Sequence, residues 1–168
     1  DLVFYTTTSV DSFANSGEGD RAERLRITSD GKTQVSGTLD IEEVIEKVEI
    51  SASTTSGITI EALDNGVWFF NANQNANRSI NFRGNSTTTL NSMLAVGQSV
   101  TNTVLMQQSG VAYYLNSYAV DGTAVTPKWS GGSAPTAGNA SGIDVYTFTI
   151  IKTADATFTV LASQTQYA

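Results

Sequence analysis

The chain has 168 residues, no cysteine, no histidine and a formal net charge of −7 at pH 7. This length suits one domain, or one domain with a small appendage, that buries a full core without disulfides. The missing residue types exclude a disulfide framework, thiolate metal sites and any triad of the Ser-His-Asp type. The acidic balance argues against a nucleic-acid partner, which would require a basic surface.

The charge is concentrated at one end of the sequence. Residues 1–64 hold 13 acidic and 5 basic side chains, net −8, whereas residues 65–168 hold 3 and 4, net +1. The second part is rich in Thr, Ser, Asn and Gly, and Thr favours the pleated surface of a strand. No run of about 18 apolar residues occurs, so we predict no membrane insertion. The chain begins at Asp1 rather than Met, so we expect it to be processed or to belong to a longer chain.

The first 38 residues predict an extended arm that carries a hairpin. The arm opens with an apolar patch, Leu2-Val3-Phe4-Tyr5. Residues 24–28 and 33–36 alternate as strands, and the turn between them carries an Asp-Gly pair. We therefore predict that residues 1–38 form an N-terminal hairpin and arm, which would connect or attach the domain that follows.

The segment after this hairpin fits both a helix and a strand. Ile41, Val44 and Val48 fall at helical spacing, but the residues around Val48 also alternate as a strand. We predict a short helical turn at 41–46 followed by a strand at 47–53. A longer helix would place the three apolar side chains on a coiled-coil seam between copies of the chain.

Short alternating runs continue through the middle of the chain. They are separated by only a few residues, which favours an antiparallel sheet. We predict strands at 58–62, 67–70, 79–83 and 98–107, with one helical turn within 88–95. Further on, the sequence predicts a strand at 112–115 that resumes at 118–120, followed by an Asp121-Gly122 turn. Residues 125–129 are predicted as an edge strand or extended loop, because Pro127 cannot donate to a ladder.

The strongest strand signal lies near the C-terminus. Residues 145–151 and 157–164 each alternate apolar and polar side chains, with a short polar break between them, which predicts a hairpin. Its apolar face should form one wall of the core. We therefore predict an all-β fold, an antiparallel β-sandwich of about eight strands over residues 39–168, jelly-roll-like in its connections.

No grouping of residues predicts catalysis or a bound metal. The carboxyl groups that could serve as an acid/base pair are dispersed, and several lie in turn signals where Asp is a turn former. Asp64-Asn65-Gly66 alone is too short for a calcium loop. We therefore predict that the protein is not an enzyme and has no catalytic residue, metal or cofactor. The carboxylates considered are Glu61, Asp64, Asp121, Asp144 and Asp155.

Aromatic residues supply the candidates for a binding surface. Trp129 lies beside a Gly/Ser-rich loop, and Tyr113, Tyr114 and Tyr118 alternate so that at least one should face outward. Aromatic side chains next to Asn and Ser could stack on a sugar or contact a protein receptor. The alternative is that Trp129 caps the core from its rim and that the tyrosines belong to the core or to a subunit interface.

Two stretches resemble proteins of phage particles. ERLRITSDGKTQVSGTLDI resembles a phrase in bacteriophage tail fibres, where such a hairpin links the shaft to the next part. Residues 47–168 resemble a C-terminal module of virion structural proteins of marine, chiefly cyanobacterial, phages. The second resemblance is carried by FRGNSTTTLNSML at 82–94, TPKWSGGSAPTAGNAS at 126–141 and YTFTIIKTADATFTVLASQT at 146–165.

The resemblance implies a place in the virion more firmly than a task. It favours the C-terminal head of a trimeric fibre or appendage, with roles in assembly and host-surface contact. The implied partners are copies of the chain, other virion proteins and a host glycan or receptor. The subunit interface would involve Val3, Phe4, Ile41, Val44 and Val48. Alternatives are a capsid decoration protein or head fibre docked through residues 1–38, and a carbohydrate-binding module.

Overall fold

The computed structural model describes residues 1–7, 21–29 and 31–168, and it divides the chain into two compact units, residues 1–44 and 45–168. Strands dominate both units, which confirms the all-β prediction. None of the described helices has the length and apolar character needed to cross a membrane. The strands of the first unit are β1 (Leu2–Thr7), β2 (Arg21–Ile27) and β3 (Thr33–Val35).

The second unit contains a four-stranded sheet, in the order β10-β9-β7-β5, and a six-stranded sheet, in the order β11-β13-β12-β8-β6-β4. One helical turn, α1 (Leu90–Met93), and a 3-10 turn (Ser130–Gly132) interrupt the strands. The strands are β4 (Val48–Ser51), β5 (Gly57–Glu61), β6 (Val67–Phe70), β7 (Arg78–Arg83), β8 (Ser99–Gln107), β9 (Leu115–Val120), β10 (Thr123–Ala124), β11 (Lys128–Trp129), β12 (Ile143–Ala154) and β13 (Thr157–Tyr167).

From β4 to β9 the chain winds as a coil between the two sheets. Each strand lies in the opposite sheet from the strand before it, and each pairs in parallel with the strand one turn earlier. The prediction of an antiparallel sheet over this region is therefore wrong, and so is a jelly roll, whose neighbouring strands are antiparallel. The short connections are crossings between sheets and not hairpin turns within one sheet.

The two sheets of the second unit share one core. Ile60 and Phe82 from the four-stranded sheet meet Val104 and Phe148 from the six-stranded sheet, and all four are fully buried. The predicted C-terminal hairpin is confirmed: β12 and β13 are antiparallel partners, and β12 also pairs with β8. Every second residue of β12 is buried, as the alternation predicted.

Two local predictions are wrong. Residues 41–46 form no helix, and the strand is limited to β4, whose residues pair with β6 (Val48 with Val67, Ile50 with Phe69). A helix of six residues is marginal unless packing supports it, whereas the sheet supplies hydrogen bonds to the following residues. The predicted strand at 112–115 is absent as well, because β9 begins at Leu115 and runs through Asn116 and Ser117.

The predicted helical turn and Asp-Gly turn are both confirmed, and they are joined to each other. Asp121 and Gly122 have φ values of 50° and 79° and connect β9 to β10. The Asp121 carboxylate accepts hydrogen bonds from the backbone N–H groups of Leu90 (2.8 Å) and Asn91 (2.9 Å) at the start of α1. At the other end, buried Lys152 donates to the carbonyl oxygens of Asn91 (2.6 Å) and Leu94 (3.0 Å). These bonds fix α1 between the Asp121-Gly122 turn and β12.

Candidate functional site

The outward side of the six-stranded sheet carries an apolar surface that the described residues of the second unit leave partly exposed. Ile50, Phe69, Leu105 and Val145 lie in register across four neighbouring strands, so they form one continuous row. Val48 and Val67 lie beside the row on β4 and β6. Ile50 is 62% exposed and Val48 is 41% exposed. We call these six residues the apolar face.

Charge distinguishes the apolar face from the outer surface of the other sheet. The outward residues of β4, β6, β8, β12 and β13 include Val, Phe, Leu and many Thr, but no charged residue. The four-stranded sheet presents an ion pair between Glu61 and Arg83 on its outer side, together with Thr59, Ser79 and Asn81. A solvated sheet surface is normally polar, so the six-stranded sheet is the exception.

The first unit also has one apolar side. Leu2 pairs with Ile27, and Phe4 pairs with Leu25, which in turn pairs with Val35, so these five residues share one side of the sheet. Leu2 is 56% exposed and Phe4 is 49% exposed. Among the residues of the first unit whose side chains the structure describes, none is buried. A three-stranded sheet without a buried side has little stability of its own, so this side is suited to a partner.

A groove lies at the edge of the six-stranded sheet opposite β4. It has a volume of about 680 Å³, within the usual range of ligand sites, and is bounded by β9, the loop before β11, and β11 itself. Tyr118 and Trp129 form its aromatic wall, with ring centroids 5.5 Å apart in an edge-to-face arrangement. A second depression of about 390 Å³ shares Lys128 and Trp129 and lies against the outward residues Thr147 and Leu161.

The structure brings two of the four predicted contact residues together. Tyr118 and Trp129 line the groove, and the Tyr118 hydroxyl donates to the carbonyl oxygen of Leu115. Burial raises the pKa of this hydroxyl above its usual range, so it stays protonated. Tyr113 and Tyr114 are half-buried in the segment before β9 and are absent from the residues that line the groove.

The five predicted interface residues fall in different places. Phe4 lies on the apolar side of the first unit, whereas Val3 pairs with Arg26 on the opposite side. Ile41 and Val44 are 51% and 65% exposed in the irregular segment before β4. Val48 belongs to the apolar face of the second unit. No helical seam joins these residues, because residues 41–46 are not helical.

The carboxylates considered for catalysis are engaged in separate structural contacts. Arg83 holds the pKa of Glu61 below its usual range through a hydrogen bond, and Glu61 raises the pKa of neighbouring Asp64. Asp121 binds the start of α1, and Asp155 accepts a hydrogen bond from Asn91 at 3.0 Å. Within the described parts of the chain, no group of three or more acidic side chains is placed to hold a metal ion.

The sequence analysis missed a buried polar cluster around Asp144. This fully buried carboxylate accepts hydrogen bonds from the side-chain amide of Gln108 (2.8 Å), the backbone N–H of Asn139 (3.1 Å) and the side-chain amide of Gln164 (3.2 Å). Burial raises its pKa, and these hydrogen bonds oppose that effect. The signal in the sequence is its position, since Asp144 shares the inward phase of Tyr146 and Phe148.

Comparison with known proteins gives no further guide to function. No family model, no curated protein and no solved structure matches the chain.

Proposed function

We propose that the chain is a non-enzymatic structural protein of a phage particle, the β-sandwich head of a homotrimeric fibre or similar appendage. In this role it assembles with other copies of itself and with other virion proteins, and it contacts the host surface. The resemblance of residues 47–168 to virion modules supports the location, and the apolar face supports self-assembly.

The apolar face is the observation that carries the proposal. A chain with a net charge of −7 repels its own copies, so copies should meet where charge is absent. The outward residues of β4, β6, β8, β12 and β13 meet this condition, and charged Lys128 lies at the edge strand β11, in register with Leu161.

The native mass of the chain in solution tests this proposal. We expect light scattering across a dilution series to give a trimer that persists at nanomolar concentration. A clean monomer at all concentrations would contradict a self-assembling head and would favour a shell-docked protein or a monomeric binding module.

The Ile50→Glu variant is expected to weaken assembly. Ile50 is largely exposed in the single chain, so the change should leave folding intact while placing a carboxylate against the apolar row of a neighbouring copy. We expect the dissociation constant to rise by roughly 100-fold or more, measured by light scattering or sedimentation. Thr59→Glu on the outer side of the four-stranded sheet is the matched control and should keep the mass unchanged. Equal masses for both variants would exclude the apolar face as the interface.

A capsid decoration protein is the second candidate, favoured by the apolar side of the first unit. Leu2, Phe4 and Ile27 on this side could dock on a shell protein. This alternative predicts that the chain binds empty capsids and that Phe4→Glu abolishes the binding. In the fibre-head proposal, Phe4→Glu does not affect binding to capsids, because no such binding exists.

A further inference from the structure

We propose that the groove beside Trp129 binds an extended glycan, with a pyranose ring on the indole and its hydroxyl groups on the surrounding amide and hydroxyl side chains. This inference deepens the host-contact part of the proposed function and rests on it for the source of the glycan, a bacterial surface polysaccharide. The residues that line the groove support glycan binding independently of that source.

The aromatic wall of the groove is rigid and has a free donor. Trp129 packs edge-on against Tyr118 and against buried Phe148, whose ring centroid lies 6.1 Å away. The indole N–H of Trp68 donates to the carbonyl oxygen of Asn65 at 3.1 Å, but that of Trp129 has no acceptor among the described residues. A pyranose ring presents an apolar C–H side and a rim of hydroxyls, which match a fixed aromatic side chain with an available N–H.

The polar side chains around this wall are also available. Asn116, Ser117, Thr126 and Lys128 line the groove, and their side chains form no hydrogen bond with any described residue. Asn85, by contrast, binds its own loop by accepting from the backbone N–H groups of the two threonines that follow Ser86. Convergent polar groups without internal partners are the feature that gives a ligand site its specificity.

The charge of the groove narrows the class of ligand. Among the described residues that line the groove, Lys128 is the single charged one, and none carries a carboxylate. One cation is too few for a nucleic-acid backbone, and the lining lacks the two carboxyl groups needed for glycoside hydrolysis. The adjoining depression over Thr147 and Leu161 extends the surface beyond one sugar unit. These features fit a glycan that is bound and not cleaved.

Assembly through the apolar face leaves the groove accessible. β11 and β4 are the two edges of the same sheet, five strand spacings apart, which is about 24 Å. The groove therefore lies at one edge of the sheet and Val48 and Ile50 of the apolar face lie at the other, whereas the adjoining depression reaches β12, which also carries Val145. This separation is what an assembled head needs in order to bind an external glycan.

A printed array of bacterial surface polysaccharides tests the groove with the full-length chain. We expect at least one glycan to bind the wild type at least fivefold more strongly than the double variant Asn116→Ala, Ser117→Ala. Both side chains are exposed and unbonded, so the double variant should fold normally. The matched control, Thr59→Ala, Ser86→Ala, replaces two exposed, unbonded side chains that do not line the groove, and it should bind as the wild type does. If none of the glycans bound the wild type more strongly than the double variant, the inference would be overturned.

Tryptophan fluorescence with the best array glycan provides an independent test. The Trp68→Phe variant reports on Trp129 alone, and we expect saturable quenching or a blue shift on addition of the glycan. The Trp129→Phe variant reports on Trp68, which packs against the core, and should show no change. An equal fluorescence response in both variants would overturn the inference. It would also be overturned if assembly alone, without glycan, protected Trp129 from quenching by acrylamide, because a neighbouring copy would then fill the groove.

The two proposals can fail separately. A monomer that still binds glycan through Asn116 and Ser117 would exclude the trimeric head and leave a carbohydrate-binding module. A stable trimer without glycan discrimination would leave the head intact and exclude the groove. If the Lys128→Gln variant still binds the glycan that distinguishes the wild type from the double variant, that glycan is neutral. If Lys128→Gln loses this binding, the glycan is an acidic one of the same pyranose class.

Discussion

Phe148→Ala is expected to lower the free energy of unfolding by about 3–5 kcal/mol, the usual cost of removing a fully buried phenylalanine. Phe148 is 0% exposed and lies at the centre of an aromatic cluster. Its ring centroid is 4.9 Å from that of Phe82, 6.0 Å from Tyr118 and 6.1 Å from Trp129. The cavity would face both sheets, so neither sheet could close it alone. Chemical denaturation followed by circular dichroism, at one fixed protein concentration, measures the loss.

Phe158→Ala on the neighbouring strand is the control for this substitution. Phe158 is only half-buried at the rim of the same core, so its truncation should cost clearly less. The two variants also separate folding from binding, because Phe148 supports both aromatic side chains of the groove and Phe158 does not line it. A smaller loss for Phe148→Ala than for Phe158→Ala would show that the core is centred elsewhere.

The sequence predicts which side of each strand faces inward better than it predicts which strands lie beside it. The alternation of β12 identified Tyr146, Phe148 and Ile150 as inward residues, and all three are fully buried. Hydrophobic alternation records which side of a strand avoids water, and this holds whatever strand lies beside it. The hairpin of β12 and β13 could also be predicted, because a two-residue turn leaves the second strand only one partner within reach.

The parallel coil could not be predicted, because its crossings resemble hairpin turns. Asp64-Asn65-Gly66 has the composition of a tight turn, yet it carries the chain from β5 in one sheet to β6 in the other. Asp, Asn and Gly are turn formers in both kinds of connection, so composition cannot separate them. The sheet to which a strand belongs is decided by packing between distant residues, such as Phe69 with Leu105.

The candidate surfaces were predicted only in part. Trp129 and Tyr118 were identified from their type and neighbours, and they line one groove. The row of Ile50, Phe69 and Leu105 was missed, because its members are distant in sequence and meet only through strand register. The continuous apolar run of β6 was the available signal, since a strand that is apolar on both sides implies a cover on both sides.

Asp144→Ala is expected to destabilise the chain by about 3 kcal/mol, because removing the carboxylate leaves several buried donors without an acceptor. Gln108, Asn139 and Gln164 all donate to this group. Denaturant unfolding at neutral pH measures the loss, and Asp155→Ala in the exposed hairpin turn is the control, expected to change stability by less than ~1 kcal/mol.

The pH dependence of Asp144→Asn separates the burial of this carboxyl group from its hydrogen bonds. Burial raises the pKa of Asp144 above its ordinary value of 3.8, so the folded state binds its proton more tightly than the unfolded state does. Stability from this group is therefore fully present below pH 3.8 and is lost as the pH rises through the folded pKa. The unfolding free energy of the wild type minus that of Asp144→Asn should accordingly be larger in acid than at pH 7. A difference that instead grew toward pH 7 would mean that the hydrogen bonds outweigh burial and lower the pKa.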